Sequence, residues 1–161
     1  MVEARQPPRV SKGDRSDLQR RAWRATFQTT YTILGVLDRE MREAAGIDIQ
    51  TYDVLLHTFE AGHDGIRMTD LARAVSLTKA GVTALTDRLE RRGLLSRESD
   101  PGDRRVIRVV LTDEGEASFR AAAKVHVAGI HEHVGRHLTD DQAKVIIEAL
   151  ENIRSLHLDS G

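Results

Sequence analysis

This chain of 161 residues predicts a mainly α-helical fold with a small β wing: a winged helix-turn-helix head flanked by N- and C-terminal dimerisation helices. Three observations carry that expectation. Residues 68–115, MTDLARAVSLTKAGVTALTDRLERRGLLSRESDPGDRRVIRVVLTDEG, read as two short helices followed by a basic β-hairpin. Amphipathic helical patterns stand on both sides of that block. The formal net charge is only −1, yet residues 79–108 hold eight Lys/Arg against five Asp/Glu and residues 1–24 hold seven against three. Basic charge is thus gathered on the hairpin block and the N-terminal arm, as an electrostatic footprint on nucleic acid requires.

Residues 1–15, with Pro7-Pro8 and scattered charge, lack helical periodicity and read as a flexible arm. Ser16 with Gln19 forms a capping box that opens a first helix. Along that helix Trp23, Phe27, Leu34, Leu37 and Met41 recur on one stripe as far as Gly46. Asp48 is the expected N-cap of a second helix with apolar positions Tyr52, Leu55, Leu56 and Phe59, ended by Gly62. After GHDGIR, with room for one short strand, Thr69 is expected to cap a third helix that buries Leu71 and Val75.

Ser76-Leu77 makes the turn, and Thr78 caps the fourth helix, with Val82, Leu85 and Leu89 inward and Lys79, Thr83 and Arg88 outward. Gly93 stops it. LLSRES and RRVIRVVL then flank the turn-forming Asp100-Pro101-Gly102-Asp103 as the two strands of a wing. Thr112 caps an alanine-rich fifth helix running towards His137, and Thr139 with Gln142 opens a last one carrying Val145, Ile146, Leu150, Ile153 and Leu156. The terminal helices bear more apolar surface than a head of this size can cover, so a second copy is the expected burial partner and the chain a two-fold homodimer.

Cysteine is absent, which removes disulfides and thiolate metal ligands from consideration. No apolar run approaches the roughly 18 residues that cross a bilayer, and no signal-type segment starts the chain, so a soluble, cytoplasmic protein is expected. Phosphate loops, GxSxG elbows and HExxH motifs are missing, and an enzyme is not expected.

Asp100-Pro101-Gly102-Asp103-Arg104-Arg105, followed by Leu111-Thr112-Asp113-Glu114-Gly115, resembles the wing signature of the MarR family of bacterial winged-helix transcription regulators. Thr83, Asp87-Arg88-Leu89-Glu90 and Arg92-Gly93-Leu94 resemble the end of that family's recognition helix. The resemblance covers about residues 16–157. It implies one MarR-type domain over 16–161, with the DNA-binding head at 48–112 and dimerisation helices at 16–46 and 113–157. It also implies a homodimer on a palindromic double-stranded DNA operator, usually a repressor, that lets go when a small effector, such as a phenolic or other aromatic one, binds between dimer region and head. No cofactor is implied.

On this reading Thr78, Lys79 and Thr83 enter the major groove, Arg105 reaches into the minor groove, Asp103 holds the Arg105 guanidinium and Arg104 faces phosphate. Arg88 contacts phosphate or pairs with Asp87. The chain departs from the family pattern at Ala84, where a base-reading arginine often stands. Effector candidates are Trp23, Phe27, Tyr31, Tyr52, His57 and His126. The alternative is a zinc-responsive regulator, because His133 and His137 stand four apart near His126 and His131, with Glu132 or Glu60 as carboxylates; no metal site is assigned.

Overall fold

The computed structural model describes residues 15–75, 77–100, 102–103 and 105–158. Residues 1–14 of the expected arm, Ser76 in the helix-turn-helix turn, Pro101, Arg104 and residues 159–161 lie outside them; Arg15, expected in the arm, is helical. Six helices are present: α1 (Arg15–Ala45), α2 (Ile49–Glu60), α3 (Met68–Ala74), α4 (Lys79–Arg91), α5 (Asp113–His133) and α6 (Asp140–Leu158). Three strands, β1 (Ile66–Arg67), β2 (Leu95–Ser99) and β3 (Ile107–Leu111), form an antiparallel sheet in the order β1-β3-β2. Two compact units are distinguished among the described residues, 15–36 and 37–158.

Four of the expected caps form. Asp48 accepts from the Thr51 N–H at 2.7 Å, Thr78 from Gly81 at 3.1 Å and Thr112 from Gly115 at 3.0 Å. Thr139 and Gln142 exchange hydrogen bonds of 3.3 and 2.9 Å, a complete capping box. Two do not. Helix α1 already includes Arg15, so Ser16 sits in its first turn and its hydroxyl accepts from Arg20. Helix α3 begins at Met68 with Arg67 in the cap position, because β1 runs directly into it and leaves no room for Thr69 to stand outside.

The core lies in the second unit. Met41, Ile47, Val54, Leu55, Leu71, Val82, Leu89 and Val109 are at most 2% exposed, and burial of each such aliphatic side chain stabilises the fold by about 1.5–3 kcal/mol. Helix α5 contributes Phe119 and Ala122 to the same cluster. At Gly129 a Cβ would lie 2.4 Å from Leu37 Cδ2. This glycine is the contact that brings α5 against the C-terminal part of α1. Helix α5 ends at His133, four residues short of His137, which belongs to a separate 3-10 turn, Gly135–His137.

In the first unit, Trp23, Phe27 and Tyr31 stack in a row along α1 with centroid spacings of 5.9 and 6.4 Å. They are 68, 57 and 75% exposed. In the second, every described side chain of α6 except Ala143 is exposed, among them Val145, Ile147, Leu150, Ile153 and Leu156.

Candidate nucleic-acid interface

Helix α4 presents its N-terminal turn to solvent. Thr78 caps the helix through its hydroxyl, and the Thr83 hydroxyl donates to the Lys79 carbonyl at 2.9 Å, leaving both side chains exposed with an acceptor lone pair available. The Lys79 ammonium has no ion-pair partner among the described residues. Gly81, unusual inside a helix, lies beneath the cap: a Cβ there would come to 3.2 Å from Thr78 Oγ1.

The wing is built around Asp100, only 6% exposed. Its carboxylate accepts from the Gly102 and Asp103 N–H groups at 2.8 and 3.2 Å and from Arg108 Nε at 2.5 Å. These donors, the Arg108 guanidinium foremost, hold the Asp100 carboxyl below its ordinary range. Arg108 also donates to the carbonyls of Asp64 and Gly65, fastening the hairpin to the start of β1. Val106 N–H closes the turn onto the Asp103 carbonyl at 2.9 Å. Strand β3 therefore starts at Ile107, later than the RRVIRVVL run predicts.

Asp103 does not hold the Arg105 guanidinium as the family pattern implies. Its carboxylate accepts from the Arg105 backbone N–H at 3.0 Å, because a side chain two residues upstream closes an Asx-type turn more readily than it follows a long side chain outward. Arg105 is exposed at the wing tip and its guanidinium has no partner among the described residues. Arg88 pairs at 3.5 Å with Asp48, the cap of α2, and not with Asp87. Adjacent residues on a helix point about 100° apart and cannot face each other.

Two aromatic groupings hold the effector candidates. Trp23, Phe27 and Tyr31 form the exposed row on α1. Tyr52 is buried against Phe119 at 5.7 Å and His126 at 4.5 Å. Burial, opposed by the Asp53 carboxylate, lowers the His126 pKa, and burial with nearby Asp53 and Glu60 raises that of Tyr52. His57 lies 3.2 Å from Glu60 and 3.6 Å from Asp53.

A groove of about 660 Å³ runs between the end of α1 and α5, lined by Glu40, Glu43, Lys124, Val125, Gly129 and His133 among others. A second cavity of about 490 Å³ opens between α2, the sheet and α5, beside Phe59, His63, Glu98 and Arg120. None of the six effector candidates lines either. Among the described residues no three His, Asp or Glu side chains converge to hold a metal ion. His133 instead meets Glu40 at 2.8 Å. No helix among the described residues is long and apolar enough to cross a membrane.

Sequence reasoning missed residues that support the wing: Arg108 and above all Arg97, while Asp100, expected only as a turn former, also anchors Arg108. Arg97 donates to Thr86 Oγ1 at 2.6 Å and Glu90 at 2.8 Å, and pairs with Asp87 at 2.6 Å. The available signal was strand alternation, since Arg97 shares a face with the inward Leu95.

Residues 45–106 match the model of the MarR family. The HTH-type transcriptional repressor YetL of Bacillus subtilis is 29% identical over 108 residues, 67% of this chain and 64% of the repressor, so under two thirds of that relative's length is matched. The structure of Sco3205, a MarR family transcriptional regulator from Streptomyces coelicolor in complex with DNA, is 28% identical with a TM-score of 0.80, covering 92% of this chain and 90% of that one. CouR from Rhodococcus jostii RHA1, bound to p-coumaroyl-CoA, is 25% identical with a TM-score of 0.69, covering 78% and 86%. A family match over residues 45–106, most of the winged head, and a shared fold over nearly the whole chain agree with the wing and recognition-helix motifs: the chain is similar to the MarR family of winged helix-turn-helix transcription regulators.

Proposed function

We propose that this chain is a cytoplasmic, sequence-specific repressor that binds a palindromic operator as a homodimer and is released by a small effector. The observation that carries the DNA reading is the Arg105 guanidinium, without a partner among the described residues, at a wing tip whose backbone is fixed by Asp100 and Asp103, beside a helix that exposes Lys79 and Thr83. A narrow minor groove focuses negative potential, and a planar, permanently charged guanidinium suits it. Thr78, Lys79 and Thr83 then read the major groove. Arg104 serves phosphate; Arg88, held by Asp48, positions α4 and reaches phosphate only at its free edge.

The exposed apolar residues of α1, α5 and α6 support the dimer: Trp23, Phe27, Val127, Ile130, Leu150 and Ile153 form stripes larger than a monomer in water keeps uncovered. The relative named as a repressor supports the sign of regulation, and the CouR complex supports an aromatic acyl or phenolic effector. The effector candidates form two separate groups, each weighed by itself: Trp23, Phe27 and Tyr31 offer stacking surface along α1, and Tyr52, His57 and His126 offer a ring and two imidazoles on α2 and α5.

The test is fluorescence anisotropy with the intergenic DNA beside the chain's own gene and with random DNA, at two salt concentrations. Wild-type protein should prefer the first DNA and lose affinity with salt, by roughly 0.9 log units per phosphate contact for each tenfold rise. Arg105→Ala should weaken binding about tenfold or more. Equal affinity for operator and random DNA by both proteins would refute the proposal.

A further inference from the structure

The arginines of the head divide by what they touch. Arg88 goes to Asp48, Arg91 to the Asp87 carbonyl, Arg92 to the Gly46 carbonyl and Arg108 to Asp100. Arg97 alone among the described ones crosses from a wing strand to three side chains of the recognition helix. Its guanidinium spans Thr86, Asp87 and Glu90, one turn of α4, at 2.6, 2.6 and 2.8 Å.

Thr86 is 1% exposed, and its hydroxyl donates to the Val82 carbonyl at 2.9 Å while accepting from Arg97. The acceptor is therefore oriented before Arg97 arrives, and a planar fork fits such a fixed set better than a flexible ammonium does. Opposite Arg97 on β3 stands Val109, fully buried, so the strand cannot roll to release the guanidinium without exposing core.

We propose that Arg97 is a positioning residue that locks the wing to the recognition helix and so sets where Arg105 meets the minor groove when α4 lies in the major groove. This rests on the DNA-binding reading above. A wing that tilted on α4 would have to be ordered at the moment of binding, and that entropic cost would cancel much of what the Arg105 contact contributes.

The distinguishing experiment is a double-mutant cycle on operator DNA. Arg105→Ala is measured in the wild-type background and in Arg97→Met, with thermal melting of each protein alongside. The expected result is a loss of about tenfold or more from Arg105→Ala in the wild type, shrinking to about threefold or less in Arg97→Met, as residues acting through one element couple. Thr86→Val, which keeps the buried volume, should reduce the Arg105 effect in the same direction, and Arg97→Lys should restore part of it.

If Arg97 made only an ordinary stabilising ion pair, its loss would lower the melting temperature and leave the Arg105 factor equal in both backgrounds. That additive result, in Arg97→Met or in Thr86→Val if the former does not fold, overturns the proposal. Absence of salt-dependent DNA binding by the wild-type protein overturns the DNA reading itself and is seen before any variant is made.

Discussion

Replacing Gly115 with alanine separates a local from a tertiary view of this fold, because the two predict opposite signs. Gly115 lies in the first turn of α5, where its N–H bonds to the Thr112 cap. Local propensity favours alanine over glycine in a helix by about 1 kcal/mol. The structure puts an added Cβ 1.9 Å from the Leu94 carbonyl oxygen and 2.9 Å from its carbon, both backbone atoms. Relief requires the start of α5 to move about 1 Å from the segment joining α4 to β2, where Thr112 N–H and hydroxyl also bond to the Leu94 and Gly93 carbonyls at 3.3 and 2.6 Å. Overpacking of this kind costs about 1–3 kcal/mol, and a backbone obstacle places it near the upper end. Net of propensity, about 2 kcal/mol of destabilisation corresponds to a melting temperature lower by about 4–8 °C. Differential scanning fluorimetry or chemical denaturation measures it. A melting temperature equal to or above that of the wild type would refute the claim that Gly115 is there to let α5 approach Leu94.

Leu150→Asp places a charge on the exposed apolar face of α6 and is expected to convert the proposed dimer to monomer at micromolar concentration, read by light scattering; an unchanged dimer mass contradicts the proposed interface. Thr78→Ala removes the acceptor of the Gly81 N–H and should cost about 1 kcal/mol of stability, with weaker operator binding as the start of α4 frays; equal melting temperatures contradict the cap. His126 has its pKa lowered by burial, so below about pH 6.5 the unfolded chain binds the proton more readily and stability falls as pH falls. Asp53, raised by burial, acts in the opposite direction, so the measurement is the difference between wild type and His126→Phe across pH 5–7. The variant should lose stability less steeply on acidification, and parallel pH profiles would contradict the assignment.

Much of the head was legible in sequence because its signals are local. Asp48, Thr78, Thr112 and the Thr139–Gln142 pair each satisfy backbone donors within three residues of themselves, so spacing alone places them. The inward sets Val82, Leu85, Leu89 and Leu71, Val75 follow from helical period and are buried as expected. The expectation failed where a neighbouring element took the position. Thr69 lost its cap to β1, the start of the RRVIRVVL strand went into the turn closed by Val106 and Asp103, and Asp103 took a backbone donor instead of a side chain.

The amino-acid order by itself determined the winged helix-turn-helix class, the recognition helix and the wing, since capping, periodicity and turn chemistry act over a few residues of chain. Only the tertiary structure decided which arginines are free. Arg88, Arg97, Arg105 and Arg108 look alike in sequence, yet three are held by Asp48, Thr86 with Glu90, and Asp100, at separations of 40, 11 and 7, and 8 residues. Arg105 has no such partner among the described residues. The same holds for Gly115 and Gly129, whose reason to be glycine is the Leu94 carbonyl and the Leu37 side chain. Ion pairs and close approaches depend on which surfaces the packed core brings face to face, and that is a property of the whole fold rather than of any stretch of chain.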